Sequence, residues 1–245
     1  MSHWLRPFSR PPLHWQANAE TQTGPNKAGN EDSVSIGPGV AILCDGVGGH
    51  GNGDIASRLA CDFLLEALSG NQDTALEAHP LKQHLRRCHQ HLLNYMEEHP
   101  RTNSMATTVV LALQQGNHCW LAWVGDSRAY LLRKGKLAQL SHDHSFVNEK
   151  VAQGVLSQED AEQHPMAHLI TSSLGGTPNS PRHIGIQQIP LRRKDRLILC
   201  SDGVYAYMSP EQFQQAAAKS AQALVQQAID NNTADNASAI CINFE

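Results

Sequence analysis

The stretch VAILCDGVGGHGNG, residues 40–53, passes from five apolar residues through a single aspartate into a loop of closely spaced glycines. Within it, Gly46-Val47-Gly48-Gly49-His50-Gly51 matches GxGxxG between a strand and a helix, the context in which a parallel sheet binds a dinucleotide. Two details oppose that reading. The strand ends in Asp45, whose charge would face the pyrophosphate, and no second strand ending in an acid follows about 20 residues later. Residues 53–69, with a 3.6-residue apolar period, lead instead through Ser69-Gly70-Asn71 into a second helical stretch, 75–98. GK[ST] is also missing, which excludes a P-loop.

Outward from this stretch, apolar alternation and β-branched runs predict strands near 12–20, 33–36, 39–44, 107–113, 118–125, 128–133, 184–190, 196–201 and 237–244. A second helix pair, 209–218 and 220–231, precedes the last strand, and Ser209-Pro210-Glu211 reads as a helix start with Pro at the first helical position. Helices come in pairs and strands in series. That order favours an α+β fold of antiparallel sheets covered by helix pairs over an alternating parallel sheet. Residues 141–183, rich in His, Gly and Pro, form an irregular insertion of the kind that is often functional. No linker divides the chain, so residues 1–245 are expected to be a single domain with 1–12 as an N-terminal extension.

Composition removes several classes of function. The net charge is −4, and the longest basic cluster is Arg192-Arg193-Lys194, so no nucleic-acid face is expected. No apolar run is long enough to span a bilayer, and the start lacks the apolar core of a signal peptide, which predicts a cytoplasmic protein with no membrane partner. The cysteines Cys44, Cys61, Cys88, Cys119, Cys200 and Cys241 sit in apolar stretches without a CxxC pair and read as buried free thiols. His84, His89 and His91 lack zinc-ligand spacing and read as surface histidines.

Three apolar strands end in an aspartate followed by a small residue: AILCDG (41–46), LAWVGDS (121–127) and LILCSDG (197–203). A fourth aspartate, Asp235 in ADNASAICINF (234–244), stands just before the final strand. Any one of these is accounted for by turn formation, since Asp-Gly is a good turn dipeptide. Four together suggest strand ends gathered at one edge. Converging carboxylates repel unless cations sit between them, and hard oxygen donors select Mg²⁺ or Mn²⁺ over zinc. Two such ions can polarise a phosphoryl group, which makes phosphate-ester hydrolysis the natural reaction.

The strings KAGNED (27–32), DGVGGHGNG (45–53), ATTVVLAL (106–113), VGDSRAYLL (124–132), SHDHSFV (141–147), LITSSLGG (169–176), LCSDGVYAYMS (199–209) and DNASAI (235–240) carry a further signal. In order and spacing the chain resembles the PPM family, the metal-dependent type 2C Ser/Thr protein phosphatases, and among them the compact bacterial members. The resemblance covers residues 13 to 244. It implies a four-layer α/β/β/α sandwich of two antiparallel β-sheets flanked by helix pairs.

By the same resemblance Asp45 bridges two metals, with the carbonyl of Gly46 as a further ligand, and Asp202 and Asp235 complete one ion's shell. Glu31 falls on the position that holds the other ion through water, and Asp32 beside it on that of an acceptor orienting ligands or water. Asp126, with Asp202, matches the ligands of a third, weaker ion. Lys27 stands where the family places a phosphate-binding arginine, and Val47 where many eukaryotic members carry a histidine proposed as general acid. Arg128, Thr107 and Thr108 read as structural residues beside the site. The insertion 141–183 corresponds to the family's flap.

The implied reaction is hydrolysis of phosphoserine and phosphothreonine in proteins by direct attack of a metal-bridging hydroxide, with Mn²⁺ or Mg²⁺ as cofactor. The expected partners are phosphorylated substrates of a Ser/Thr kinase, acted on by a monomer. A non-catalytic phosphoprotein-binding module on the same fold is the alternative, favoured only if a metal ligand were missing; a nucleotide-binding oxidoreductase is a more distant one.

Overall fold

A computed structural model describes residues 11–47, 52–69, 78–102 and 104–245. Gly48 to Gly51 of the glycine-rich loop, residues 1–10 of the expected N-terminal extension, Gly70-Asn71 and residues 75–77 of the second expected helix lie outside the described residues.

The chain opens with β1 (Trp15–Gln22), β2 (Asp32–Gly37) and β3 (Val40–Val47), followed by the helix pair α1 (Gly53–Leu68) and α2 (Ala78–Glu98). The run expected as one strand at 107–113 is two, β4 (Ala106–Thr107) and β5 (Val109–Gln115), interrupted at Thr108. A meander of β6 (His118–Val124), β7 (Arg128–Arg133) and the short β8 (Lys136–Gln139) leads into the insertion. There α3 (Phe146–Ala152) and α4 (Gln158–Glu162) precede the two-residue β9 (Leu174–Gly175). The last third contains β10 (Gly185–Pro190), β11 (Arg196–Cys200), the single turn α5 (Asp202–Tyr205), α6 (Pro210–Ala217), α7 (Ala221–Asp230) and β12 (Ala237–Phe244). The start of α6 follows from its sequence. Ser209 accepts from the backbone of Gln212, whose side chain reaches back to Ser209, and Pro210 opens the helix.

One sheet has the order β1-β12-β11-β7-β8, the other β10-β6-β5-β3-β4-β9 with β2 beside β3, and every pairing is antiparallel. The two-residue period of the strands divides their side chains between layers. Val40, Ile42 and Cys44 pack under α1 and α2, while Ala41 and Leu43 point the other way, towards Leu197, Leu199, Ile240 and Ile242 of the facing sheet. Ile198, Cys200, Ala239 and Cys241 then meet Val204, Phe213 and Leu224 of the second helix group. Three apolar interlayers imply four layers, helices outside and sheets inside. All six cysteines are buried free thiols within them. His89 is a correction: it is buried at 7% exposure, and its Nδ1 accepts from the N–H of Gly175, 3.1 Å away, pinning β9 to α2.

Candidate active site

Asp45 lies near the end of β3, directly opposite Asp32 of β2. Its peptide is held by the break between β4 and β5. The Asp45 N–H donates to Thr108 Oγ1 (3.2 Å), and its carbonyl accepts from the Thr108 N–H (2.8 Å) and from Thr107 Oγ1 (2.9 Å). Thr108 Oγ1 in turn meets Ser127 Oγ at 2.7 Å, joining the Asp45 peptide to the β6–β7 loop that carries Asp126. Gly125 is required in that loop. Its φ is +100°, and a Cβ there would stand 2.6 Å from Thr108 Cγ2.

In the other sheet Asp202 follows β11 and Asp235 precedes β12. Gly203 lets the two segments meet, because a Cβ on it would fall 2.0 Å from the carbonyl oxygen of Asn236. Ser201 Oγ donates to Asp32 Oδ2 (2.9 Å) and accepts from the N–H of Ser238 (3.0 Å), so buried Asp32 links one sheet to the other. The side chain of Asn236 fastens the 27–31 segment: it donates to the Gly29 carbonyl (3.0 Å) and accepts from the Glu31 N–H (3.2 Å). The Glu31 carbonyl accepts from the N–H of Gly46 at 3.0 Å. Lys27 Nζ reaches Asp235 Oδ1 at 2.5 Å.

Proton affinities record how closely the carboxylates stand. Burial lifts Asp45 well above the usual carboxylate range, and the charges of Asp32, Asp202, Asp126 and Asp235 lift it further. Asp126 is pushed up to about 7 by burial, then by Asp202 and Asp143. Asp32 rises to about 6 through burial, opposed by hydrogen bonds from Ser238 and Ser201. Asp202 rises through burial and Asp235, with His168 and Lys27 opposing. Burial lowers the proton affinity of Lys27, but its hydrogen bond to Asp235 and the charges of Asp235, Asp45 and Glu31 more than reverse this.

The structure therefore brings Lys27, Glu31, Asp32, Asp45, Gly46, Asp126, Asp202 and Asp235 into one neighbourhood. Among the described residues no three carboxylates, imidazoles or thiols close on a single point at ligating distance. The carboxylates are neighbours of like sign, and Lys27 engages one oxygen of Asp235. The donor chemistry fits hard divalent cations: carboxylate and carbonyl oxygens, with uncompensated negative charge partly removed from water.

Arg128 has the structural role expected of it. Its Nε and Nη2 bind Asp143, the latter at 2.7 Å, and its guanidinium lies 3.6 Å from the centre of the Tyr205 ring, whose hydroxyl donates to the Asp126 carbonyl (3.1 Å). Asn236, Ser201 and His168 were not among the residues singled out from the sequence. Each acts through partners remote in the chain, so local pattern gave no sign of them. His168, from the insertion, lines with Asp126 and Asp202 a cavity of about 630 Å³.

Residues 26–236 match the family model described as Protein phosphatase 2C. The chain is 34% identical over 227 residues to the serine/threonine protein phosphatase PstP of Mycobacterium tuberculosis, covering 91% of this chain and 43% of that protein, so it spans less than half of that relative's length. It is 33% identical to the serine/threonine phosphatase stp of Listeria welshimeri, covering 86% of each. The crystal structure of the M. tuberculosis phosphatase PstP/Ppp superposes with a TM-score of 0.87 at 31% identity, over 95% of this chain and 99% of that one. The catalytic domain of PstP in complex with 2 manganese ions gives 0.83 at 30% identity, over 95% and 99%.

Proposed function

This chain belongs to the protein phosphatase 2C family, and we propose that it is a Mn²⁺- or Mg²⁺-dependent protein phosphatase acting on phosphoserine and phosphothreonine. The observation that carries this reading is the gathering of Asp45, Asp126, Asp202 and Asp235, from four separate segments, into one patch where the charges of the other three raise the proton affinity of Asp45, Asp202 raises that of Asp126, and Asp235 that of Asp202. Residues 1–245 would form one catalytic domain with 141–183 as its flap, working as a cytoplasmic monomer on substrates of a Ser/Thr kinase. Among the described residues no helix is long and apolar enough to cross a membrane.

Asp45, Asp202, Asp235 and the Gly46 carbonyl would hold two ions, with Glu31 acting through water, and Asp126 with Asp202 a weaker third. Bound there, the ions would neutralise charge on the phosphoryl group and acidify a water at neutral pH. The chain's own residues supply the rest. Asp32, fixed by Ser201 and opposite Asp45 on the neighbouring strand, would be an acceptor that orients the ions' ligands or water. Lys27 offers a point charge to the substrate phosphate beside Asp235, without the two-pronged hydrogen bonding of an arginine. Asp45, Asp202 and Asp235 would be the groups on which turnover depends.

The test is release of phosphate from a phosphothreonine peptide with added Mn²⁺. Turnover is expected with the ion and none in excess EDTA; turnover that survives exhaustive chelation would overturn the reading.

A further inference from the structure

The cavity of about 630 Å³ lies between the insertion and the C-terminal helices, and Asp126 and Asp202 are part of its wall. From them its wall can be followed contact by contact. The Asp126 carbonyl accepts from Tyr205, whose ring carries Arg128; Arg128 Nη1 donates to the Tyr130 hydroxyl (3.3 Å), and the Tyr130 ring lies 4.7 Å from that of Phe213. Over this course apolar side chains enter the wall: Leu137 and Met208 pack on the cluster that includes Phe213, and Val147 and Ala161 of the insertion line the same cavity, interspersed with the polar Gln139, Ser145, Asn148 and Gln158. Arg128 is matched by Asp143 and stacked on Tyr205, so it does not present a free charge to an occupant.

The side facing the carboxylates includes Ala167 and His168 of the insertion. Their chain neighbours Met166 and Leu169 are 44% and 46% exposed, among the most exposed large apolar side chains of the described residues. The volume lies within the ~300–1,000 Å³ typical of ligand pockets and exceeds what one phosphorylated side chain would fill. A molecule whose phosphoryl group sits at Asp126 and Asp202 shares one cavity with these apolar side chains.

Resting on the phosphatase reading, we infer that the groove is a specificity subsite for an apolar side chain of the substrate protein, two residues from the phosphorylated one. In an extended chain, alternate side chains point the same way at roughly 6.6 Å spacing. The side chain sharing the direction of the phosphorylated residue is therefore the second neighbour. Continuity with the carboxylates selects a substrate segment as occupant, because a polypeptide whose phosphate lies at Asp126 and Asp202 has a path along this wall within the same cavity.

The experiment uses phosphothreonine peptides in an alanine background with leucine placed in turn at each of three positions on either side. Leucine at the second position on one side is expected to raise kcat/KM roughly tenfold over the all-alanine peptide, the scale of adding methylenes to an apolar pocket. In Met208→Gln, which places an amide in the apolar stretch, that ratio should fall towards one. Equal rates across the set would overturn the inference and, if the protein also sediments as a dimer, leave the groove to a second copy of the chain. Ala206 also lines the groove, and Ala206→Trp would fill it; a leucine preference unchanged in both Met208→Gln and Ala206→Trp would overturn the inference as well, because the side chain would then be read elsewhere. If no phosphopeptide is hydrolysed with Mn²⁺ present, the phosphatase reading itself fails and the subsite falls with it.

Discussion

Lys27 and Asp235 are each more than a third exposed, so the short ion pair between them adds little to stability, under about 1 kcal/mol for a pair of this kind. Its position beside Asp45 and Glu31 matters more. Lys27→Ala is expected to leave the urea midpoint nearly unchanged and to raise KM for phosphopeptides several-fold with kcat retained, since a contact made equally to ground and transition states alters binding alone. Lys27→Arg should keep or lower KM, and steady-state kinetics of both variants would show it. An unchanged KM in the alanine variant would make Lys27 an ordinary loop residue. His144 makes a different kind of prediction. The His144 backbone N–H donates to the Gly125 carbonyl (2.9 Å) and its ring Nδ1 accepts from the Gly125 N–H (3.2 Å), so Nδ1 must stay unprotonated. Burial, then the charge of His183, push its pKa from 6.5 down to about 4, with Glu149 opposing. The folded state thus binds fewer protons than the unfolded one between these values. The associated stability is complete above pH 6.5 and is lost as pH falls towards 4. Tm should fall through that window more steeply in the wild type than in His144→Asn, whose amide oxygen can accept without titrating; parallel curves would exclude the effect.

At the scale of elements, the break at Thr108 is what fixes Asp45. Thr108→Val keeps the shape of the side chain but leaves the Asp45 N–H and the Ser127 hydroxyl without the oxygen they share, a loss of about 1–3 kcal/mol for buried groups. A lower urea midpoint with an unchanged slope is expected, together with reduced kcat as the Asp45 peptide loses its clamp. Full activity and stability would show that the backbone bonds alone suffice. This break was not readable in ATTVVLAL, an uninterrupted β-forming run. The apolar lead-in to Asp45, Asp126 and Asp202 was readable three times over, because a buried strand must be apolar up to the point where it leaves the core. The helix start at Ser209 was readable because its capping is local. By contrast β8 has four residues and α5 is a single turn beginning at Asp202, both too short to show a period. Asn236 bonds Glu31 across 205 positions and Ser201 bonds Asp32 across 169, distances over which a single sequence carries no pairwise signal.

For the whole molecule, the three apolar interlayers and the carboxylate edge work in opposite directions. Packing fixes strand ends that the charges of Asp45, Asp126, Asp202 and Asp235 would push apart. A cation that binds only the folded arrangement removes this conflict and stabilises the protein by mass action, by about 2.7 kcal/mol for each site held at a hundredfold excess over Kd. For a chain of this size each kcal/mol moves Tm by about 2–4 °C, so saturating Mn²⁺ should raise Tm by roughly 5–10 °C per site over the EDTA-treated protein. Asp45→Ala separates the two contributions. Without metal, relief of repulsion should leave its Tm equal to or above that of the wild type, while the increment from Mn²⁺ should shrink, since the residue proposed to be shared between the ions is gone. Differential scanning calorimetry of both proteins with Mn²⁺ and with EDTA makes the comparison. If Mn²⁺ supports turnover of the wild type yet leaves its Tm unmoved, the charge at this edge is already balanced within the fold, and the opposition between packing and repulsion would have to be abandoned.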